Sequence, residues 1–206
     1  MTEQLLKTFI IFFVVIEPVS LVPMFGALTR GGETGYRRKM ALKSIAISAG
    51  IFIVFALAGD WLLRLLGISV SAFKIAGGVL LFLLAVDMVL ARESGLRSTT
   101  VREQDEARYR EDISVFPMAF PLITGPGALA TMLLLTAGAE DWVGVSLVLA
   151  MGLAALAVTL VMLLLTQPLM RVIGVTGGSV ISRLLGVVLA ALAVQYVVDG
   201  FTEVLL

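Results

Sequence analysis

Two short stretches of the chain combine groups that can hold a small charged solute with residues that interrupt helices. "EPVSLVP" (17–23) offers Glu17, Pro18, Ser20 and Pro23, and "PLITGPG" (121–127) offers Thr124, Gly125, Pro126 and Gly127. A proline removes one backbone donor and collides with the carbonyl four residues back, so each stretch frees peptide groups from the helical ladder. N–H groups at the start of a half-helix, its positive dipole end, suit a carboxylate. Carbonyls at the end of the preceding half-helix suit an ammonium group, Na+ or a proton-carrying water. Ser20 and Thr124 add hydroxyls, and Glu17 adds a titratable carboxylate. Together they could hold both ends of a zwitterion such as an amino acid, with Glu17 as a group for proton or ion coupling.

Both stretches lie inside long apolar segments, and that sets the elements around them. Of 206 residues 59% are hydrophobic and only 15% charged, with a mean hydropathy of +1.05. Soluble domains carry roughly 45 to 50% apolar residues, so this is an all-α membrane protein whose first partner is the lipid bilayer. About 20 apolar residues cross a hydrocarbon core of roughly 30 Å. By that measure six transmembrane helices are expected, at 5–28, 40–63, 73–90, 115–137, 143–165 and 184–198. In lipid each freed backbone group costs several kcal/mol unless protein or water satisfies it. Breaks within the first and fourth spans, near mid-membrane, therefore need a purpose. One alternative is mechanical: the prolines kink two packed helices, and Ser20 and Thr124 bond back onto carbonyls.

Arginines and lysines set the expected orientation. Twelve of the fifteen cations fall in the loops after the first, third and fifth spans, leaving only Lys7, Arg64 and Lys74. Loops rich in such residues stay in the cytoplasm, so both termini are expected on the outer side of a bacterial or archaeal inner membrane. The polar insertion 91–112 reads as a cytoplasmic loop.

The chain also resembles itself. "FKIAGGVLLFLLAV" (73–86) lies over "SRLLGVVLAALAVQ" (182–195), "LLRLLGIS" (62–69) over "LMRVIGVT" (169–176), and "PVSLVP" (18–23) over "PLITGP" (121–126). The three matches need similar shifts, as a duplicated three-span unit would. An odd number of spans per unit turns the second upside down. The expected domains are a first three-helix repeat over 1–90, the polar loop over 91–112, and a second, inverted repeat over 113–206. Discontinuous helices at corresponding points of inverted repeats point to a central transport site.

Other chemistry is poorly supplied. With no Cys and no His, the usual ligands for zinc, haem and iron–sulfur centres are missing, as are Ser-His-Asp triads. No metal, cofactor or enzymatic activity is expected. Acidic and basic residues balance at fifteen each, which provides no field for nucleic acid. Asp87, inside the third span, is a second candidate for proton or ion coupling, or a partner for a nearby cation. Asp60, Lys74 and Arg183 read as interfacial anchors. A non-transporting scaffold or partner subunit, a passive channel and a homo-oligomer remain compatible with these features.

"EPVSLVPMFGALT" (17–29), "FKIAGGVLLFLLAVDM" (73–88) and "FPLITGPGAL" (120–129) together resemble the MarC family of bacterial and archaeal inner-membrane proteins. That family is similar to small neutral amino acid transporters and belongs with the LysE-type exporters. The resemblance covers nearly the whole chain and implies six spans and movement of neutral amino acids such as glycine or alanine. The chain departs from the family's usual pattern at two positions. Glu17 stands where Asp or Asn is commoner, and Ser20 where Gly is.

Overall fold

The structure, a computed structural model, describes residues 2–91, 112–139 and 141–205, and these are all-helical with short connections. In chain order the elements are α1 (Thr2–Ile16), α2 (Pro18–Leu28), α3 (Thr34–Leu65), α4 (Val70–Leu90), α5 (Ser114–Ile123), α6 (Pro126–Ala137), α7 (Trp142–Leu164), α8 (Thr166–Val172) and α9 (Gly174–Leu205). Five helical stretches are each long and apolar enough to cross a membrane, and α5 with α6 makes a sixth, bent by 59°. The polar insertion lies outside the described residues except at its two ends.

Span boundaries run longer than hydropathy suggests. The third helix begins at Thr34 rather than 40, and the last covers Gly174–Leu205 rather than 184–198. Hydropathy stops at charges such as Arg183 and Asp199, whereas a helix continues as long as its ladder and packing hold. At 1.5 Å per residue the 32 residues of α9 reach about 48 Å, beyond a hydrocarbon core of about 30 Å. Where helices do start, local chemistry marks the place. Asp141 accepts from the Gly144 N–H at 2.7 Å ahead of α7, and Ser69 accepts from the Ala72 N–H at 3.1 Å ahead of α4.

The core is formed where α1, α3, α6 and α7 converge. Phe12 and Phe52 are fully buried, their ring centroids 5.5 Å apart. Met132 is fully buried beside them, and a Cβ added at Gly152 would fall 3.0 Å from its Cε and 3.2 Å from the Phe52 ring. On the outside, large apolar residues such as Trp61, Phe82, Val187, Val198 and Phe201 stand exposed. So broad an apolar surface is a liability in water and the normal face of a helix in lipid.

α4 and α9 pack so closely that backbones touch. A Cβ at Gly78 would lie 2.8 Å from the Ala193 carbonyl oxygen, one at Gly186 3.1 Å from that of Ala85, and one at Gly200 2.9 Å from that of Ser71. As α4 numbers rise from 71 through 78 to 85, their partners fall from 200 through 193 to 186, so the two helices run antiparallel. The seven-residue spacing keeps small residues on one seam of each helix. Lys74, read as an interfacial anchor, pairs with Glu203 at one end of this seam, and the Ser71 hydroxyl donates to the same carboxylate at 3.0 Å. Asp60 and Arg64 form an exposed pair at 2.9 Å within α3.

Asp112, the last residue of the insertion, ties α5 to α3. Its carboxylate accepts from Lys43 on α3 and from the Ser114 hydroxyl and N–H at 2.5 and 2.9 Å. These bonds, the Lys43 one foremost, hold the Asp112 carboxyl well below the usual carboxylate range. A depressed acid stabilises the fold above its unfolded pKa of about 4 and loses that contribution as pH falls towards its lower folded value. Both partners are nearly half exposed, so solvent screening limits the effect. Asp112→Asn should cost about 0.5–1 kcal/mol at neutral pH, with the gap to wild type closing in melts below about pH 4.

Candidate functional site

The first candidate stretch is a one-residue hinge. Pro18 disfavours the helical conformation in the residue before it, and Glu17 stands at φ 52, ψ 61, in the left-handed region. That conformation costs a residue with a Cβ about 1–2 kcal/mol. The Glu17 N–H still closes α1 by donating to the Phe13 carbonyl at 2.9 Å, while its own carbonyl accepts from the Ser20 N–H at 3.1 Å and opens α2. No side chain caps this N-terminus. The interruption is nonetheless shallow, since residues 2–28 still read as one 27-residue span.

The second stretch departs further from a helix. Across α5 the N–H groups of Met118 and Thr124 reach carbonyls five residues back, at 3.2 and 2.9 Å. Phe116 and Phe120 have extended backbone, and the peptide bonds to Pro117 and Pro121 are cis. Gly125 is extended, as a residue before proline should be, and Pro126 starts α6 with no side-chain cap. In a helix begun this way the N–H groups of Gly127 and Ala128 have no acceptor inside the helix.

Folding brings the end of α1 against the second stretch. A small recess is lined by Val15 of α1, Leu84 of α4, and Pro121, Gly125, Gly127 and Ala128 around the second interruption. It has room for about one water molecule. A Cβ at Gly127 would lie 2.9 Å from the Leu84 Cδ2, 3.3 Å from the Leu81 Cδ2 and 3.6 Å from the Val15 Cγ1. Val15 is two residues before Glu17, so the end of α1 lies against the second stretch, although no residue of 17–23 lines the recess.

Side chains within the stretches have different fates. Glu17 is 2% exposed, and its Oε1 accepts from the Ser20 hydroxyl at 2.5 Å. The two positions that depart from the family's usual pattern thus hydrogen-bond each other. Thr124 is fully buried and donates back to the Ala119 carbonyl at 2.6 Å, as the kinked-helix alternative expects. Pro18, Gly125 and Gly127 are buried, and Ser20, Pro23 and Pro126 half-buried. Asp87 is half-buried one turn beyond Leu84 and does not line the recess. Sequence reasoning missed Val15 and Leu84 because an aliphatic residue in an aliphatic span carries no signal of its own. Among the described residues no cluster of three or more acidic or ligating side chains is placed to hold a metal ion.

Comparison with known proteins identifies the family. The model of the MarC family of integral membrane proteins matches residues 2–205. The chain belongs to the MarC family. Among named relatives, a UPF0056 membrane protein of Methanocaldococcus jannaschii is 34% identical over 99% of this chain and 98% of its own length. The UPF0056 membrane protein YvbG of Bacillus subtilis is 33% identical over 97% of this chain and 95% of its own. YhcE of Escherichia coli, another UPF0056 membrane protein, is 32% identical over 94% and 90%. MarC-type chains of this length therefore occur in both bacteria and archaea as multi-pass membrane proteins. No solved structure is significantly similar to the chain.

Proposed function

We propose that this MarC-family protein is a secondary transporter of small neutral amino acids, with its site between the two helix interruptions and Glu17 as the coupling group for H+ or Na+. One observation carries the reading: the end of α1, two residues before the hinge at Glu17, lies against the start of α6, which no side chain caps, across a small recess. In that arrangement the N–H groups of Gly127 and Ala128 take a substrate carboxylate, and the Glu17 carboxylate with nearby carbonyls takes the ammonium group.

An inverted repeat with a shared site is part of this proposal. Its support is the pattern of packing, much of which survives exchange of the two halves. α3 packs on α5 and α6 as α7 packs on α1 and α2; α4 packs on α6 as α9 packs on α2; α1 meets α6 as α5 meets α2; α3 meets α7 and α4 meets α9, whereas α6 packs on α7 and α1 on α9 without a matching contact of the same extent in the other half. Two of the close backbone approaches repeat as well, within one residue of the shift that lays 73–86 over 182–195. Gly78 meets Ala193 and Gly186 meets Ala85, and 78 to 186 and 85 to 193 are the same shift of 108 residues. Mid-membrane placement of both breaks, an inner-membrane location and outward-facing termini complete the proposal, the last supported by the skew of basic residues.

A second reading, a non-transporting scaffold, draws on the size of the recess, which is too small for an amino acid. A scaffold keeps it closed; a transporter widens it. Thermal melts across the neutral amino acids separate the two. A bound solute at a hundred times its dissociation constant stabilises by about 2.7 kcal/mol. Stabilisation by glycine or alanine is expected in wild type and absent in Gly127→Leu, whose side chain fills the recess at a folding cost of about 1–3 kcal/mol. No shift with any amino acid favours the scaffold.

A further inference from the structure

Among the described residues, two buried serine and threonine hydroxyls lack the partner that others in this fold have; a third unpartnered buried hydroxyl is the Tyr196 phenol. In lipid-embedded helices serine and threonine ordinarily bond back to a carbonyl one turn earlier. Ser44 does so to Met40 at 2.8 Å, Thr136 to Met132 at 2.8 Å and Thr159 to Ala155 at 2.8 Å. Ser48 and Thr131 are both fully buried, and their hydroxyl oxygens have no hydrogen-bond partner among the described residues. A buried polar group left unpaired is costly, most of all away from water. Neither hydroxyl takes up the back-bond that its position in a helix offers.

Their positions relate them to the interruptions. Thr131 is one turn beyond Gly127 on α6, so it shares the face that Gly127 presents to Leu84 and Val15. Ser48 is placed by two contacts between α3 and the first span. Phe52 meets Phe12, and the Arg37 side chain donates to the Thr29 carbonyl at 3.3 Å. From Phe12 to Thr29 the partner numbers fall from 52 to 37, so α3 runs antiparallel to the first span. Ser48 lies one turn from Phe52 on α3, on the side towards Arg37. Ser48, one turn from Phe52 on α3, and Thr131, next to Met132 on α6, thus lie on the two helices that bring Phe52 and Met132 into the fully buried cluster with Phe12.

We infer that Ser48 and Thr131 form a second polar station on the solute's route, exposed when the Phe12, Phe52 and Met132 cluster parts and offering hydroxyls to the charged ends of an amino acid. This inference rests on the transport reading above. It gives the unpaired hydroxyls a partner in the open conformation, while the aromatic and methionine side chains close the route in the present one.

The chain contains no cysteine, so single replacements report cleanly. Ser20→Cys, Ser48→Cys and Thr131→Cys, reconstituted in liposomes, would be treated with a membrane-impermeant methanethiosulfonate reagent with and without glycine. All three are expected to react, and glycine to slow the reaction. Ser48→Ala and Thr131→Val are expected to lower glycine uptake about ten- to hundredfold each, the fold-change of a lost hydrogen bond to a charged group. Their melting temperatures should match or exceed wild type, because each removes an unpaired hydroxyl. Loss of stability together with uptake makes the hydroxyls structural and overturns the inference. Reaction at position 20 alone overturns it too, while leaving the transport reading standing. If position 20 is also inert and wild type takes up no amino acid, the transport reading falls and this inference with it.

Discussion

Gly186→Leu should destabilise the protein severely, by about 3 kcal/mol or more. The added Cβ alone would lie 2.8 Å from the Met88 Cβ and 3.1 Å from the Ala85 carbonyl oxygen. Neither atom is the far end of a flexible chain, so relief requires α4 and α9 to separate along their whole seam. Gly78→Leu meets the Ala193 carbonyl oxygen and the Val197 N and should behave alike. Gly178→Ala supplies the control, because nothing lies within 4 Å of its Cβ position in the same helix. There alanine should be neutral or stabilising by about 0.5–1 kcal/mol. Thermal melts in detergent read all three. Equal stability of Gly186→Leu and wild type would mean that α4 and α9 do not pack as described.

Glu17→Gln should leave the fold nearly intact and remove ion-driven transport. Glutamine retains an oxygen to accept the Ser20 hydroxyl and fits the same space, so the hinge keeps its side-chain bond. It cannot release a proton or hold a cation by charge. Uptake driven by a pH or Na+ gradient is expected to drop by at least about tenfold, equivalent to about 1.4 kcal/mol. Exchange of labelled for unlabelled substrate without a gradient should persist. Gradient-driven uptake unchanged from wild type would remove Glu17 from the coupling role. Asp87, half-buried and away from the recess, would then be the next residue to replace.

Much of this organisation is legible in the amino-acid sequence, for identifiable reasons. Membrane spans announce themselves because lipid admits almost nothing but apolar side chains over about 20 residues. The interruptions are legible because proline acts on its own helix, through a lost donor and a local clash, without regard to tertiary contacts. Pro18 and Pro126 accordingly mark where α2 and α6 begin. What escapes the sequence depends on neighbours remote in the chain. Nothing in "EPVS" says that the Ser20 hydroxyl turns to Glu17 while that of Thr124 turns back to a carbonyl. Lys74 reads as an interfacial cation because Glu203, its partner, lies 129 residues away. The two prolines of each stretch look equivalent on paper. In the fold the first interruption is a single left-handed residue, and the second a 59° bend preceded by wide turns. Pro117 and Pro121 lie within that wide-turned segment, whereas α1 before Glu17 contains no proline.

The most direct measurement is counterflow of labelled glycine and alanine in proteoliposomes made from purified wild type and Gly127→Leu. Wild-type vesicles preloaded with unlabelled amino acid should accumulate label transiently and saturably, and Gly127→Leu vesicles holding folded protein should match empty liposomes. Equal uptake by the two proteins would contradict a solute site between the interruptions, and no uptake of any amino acid by folded wild type would contradict transport itself.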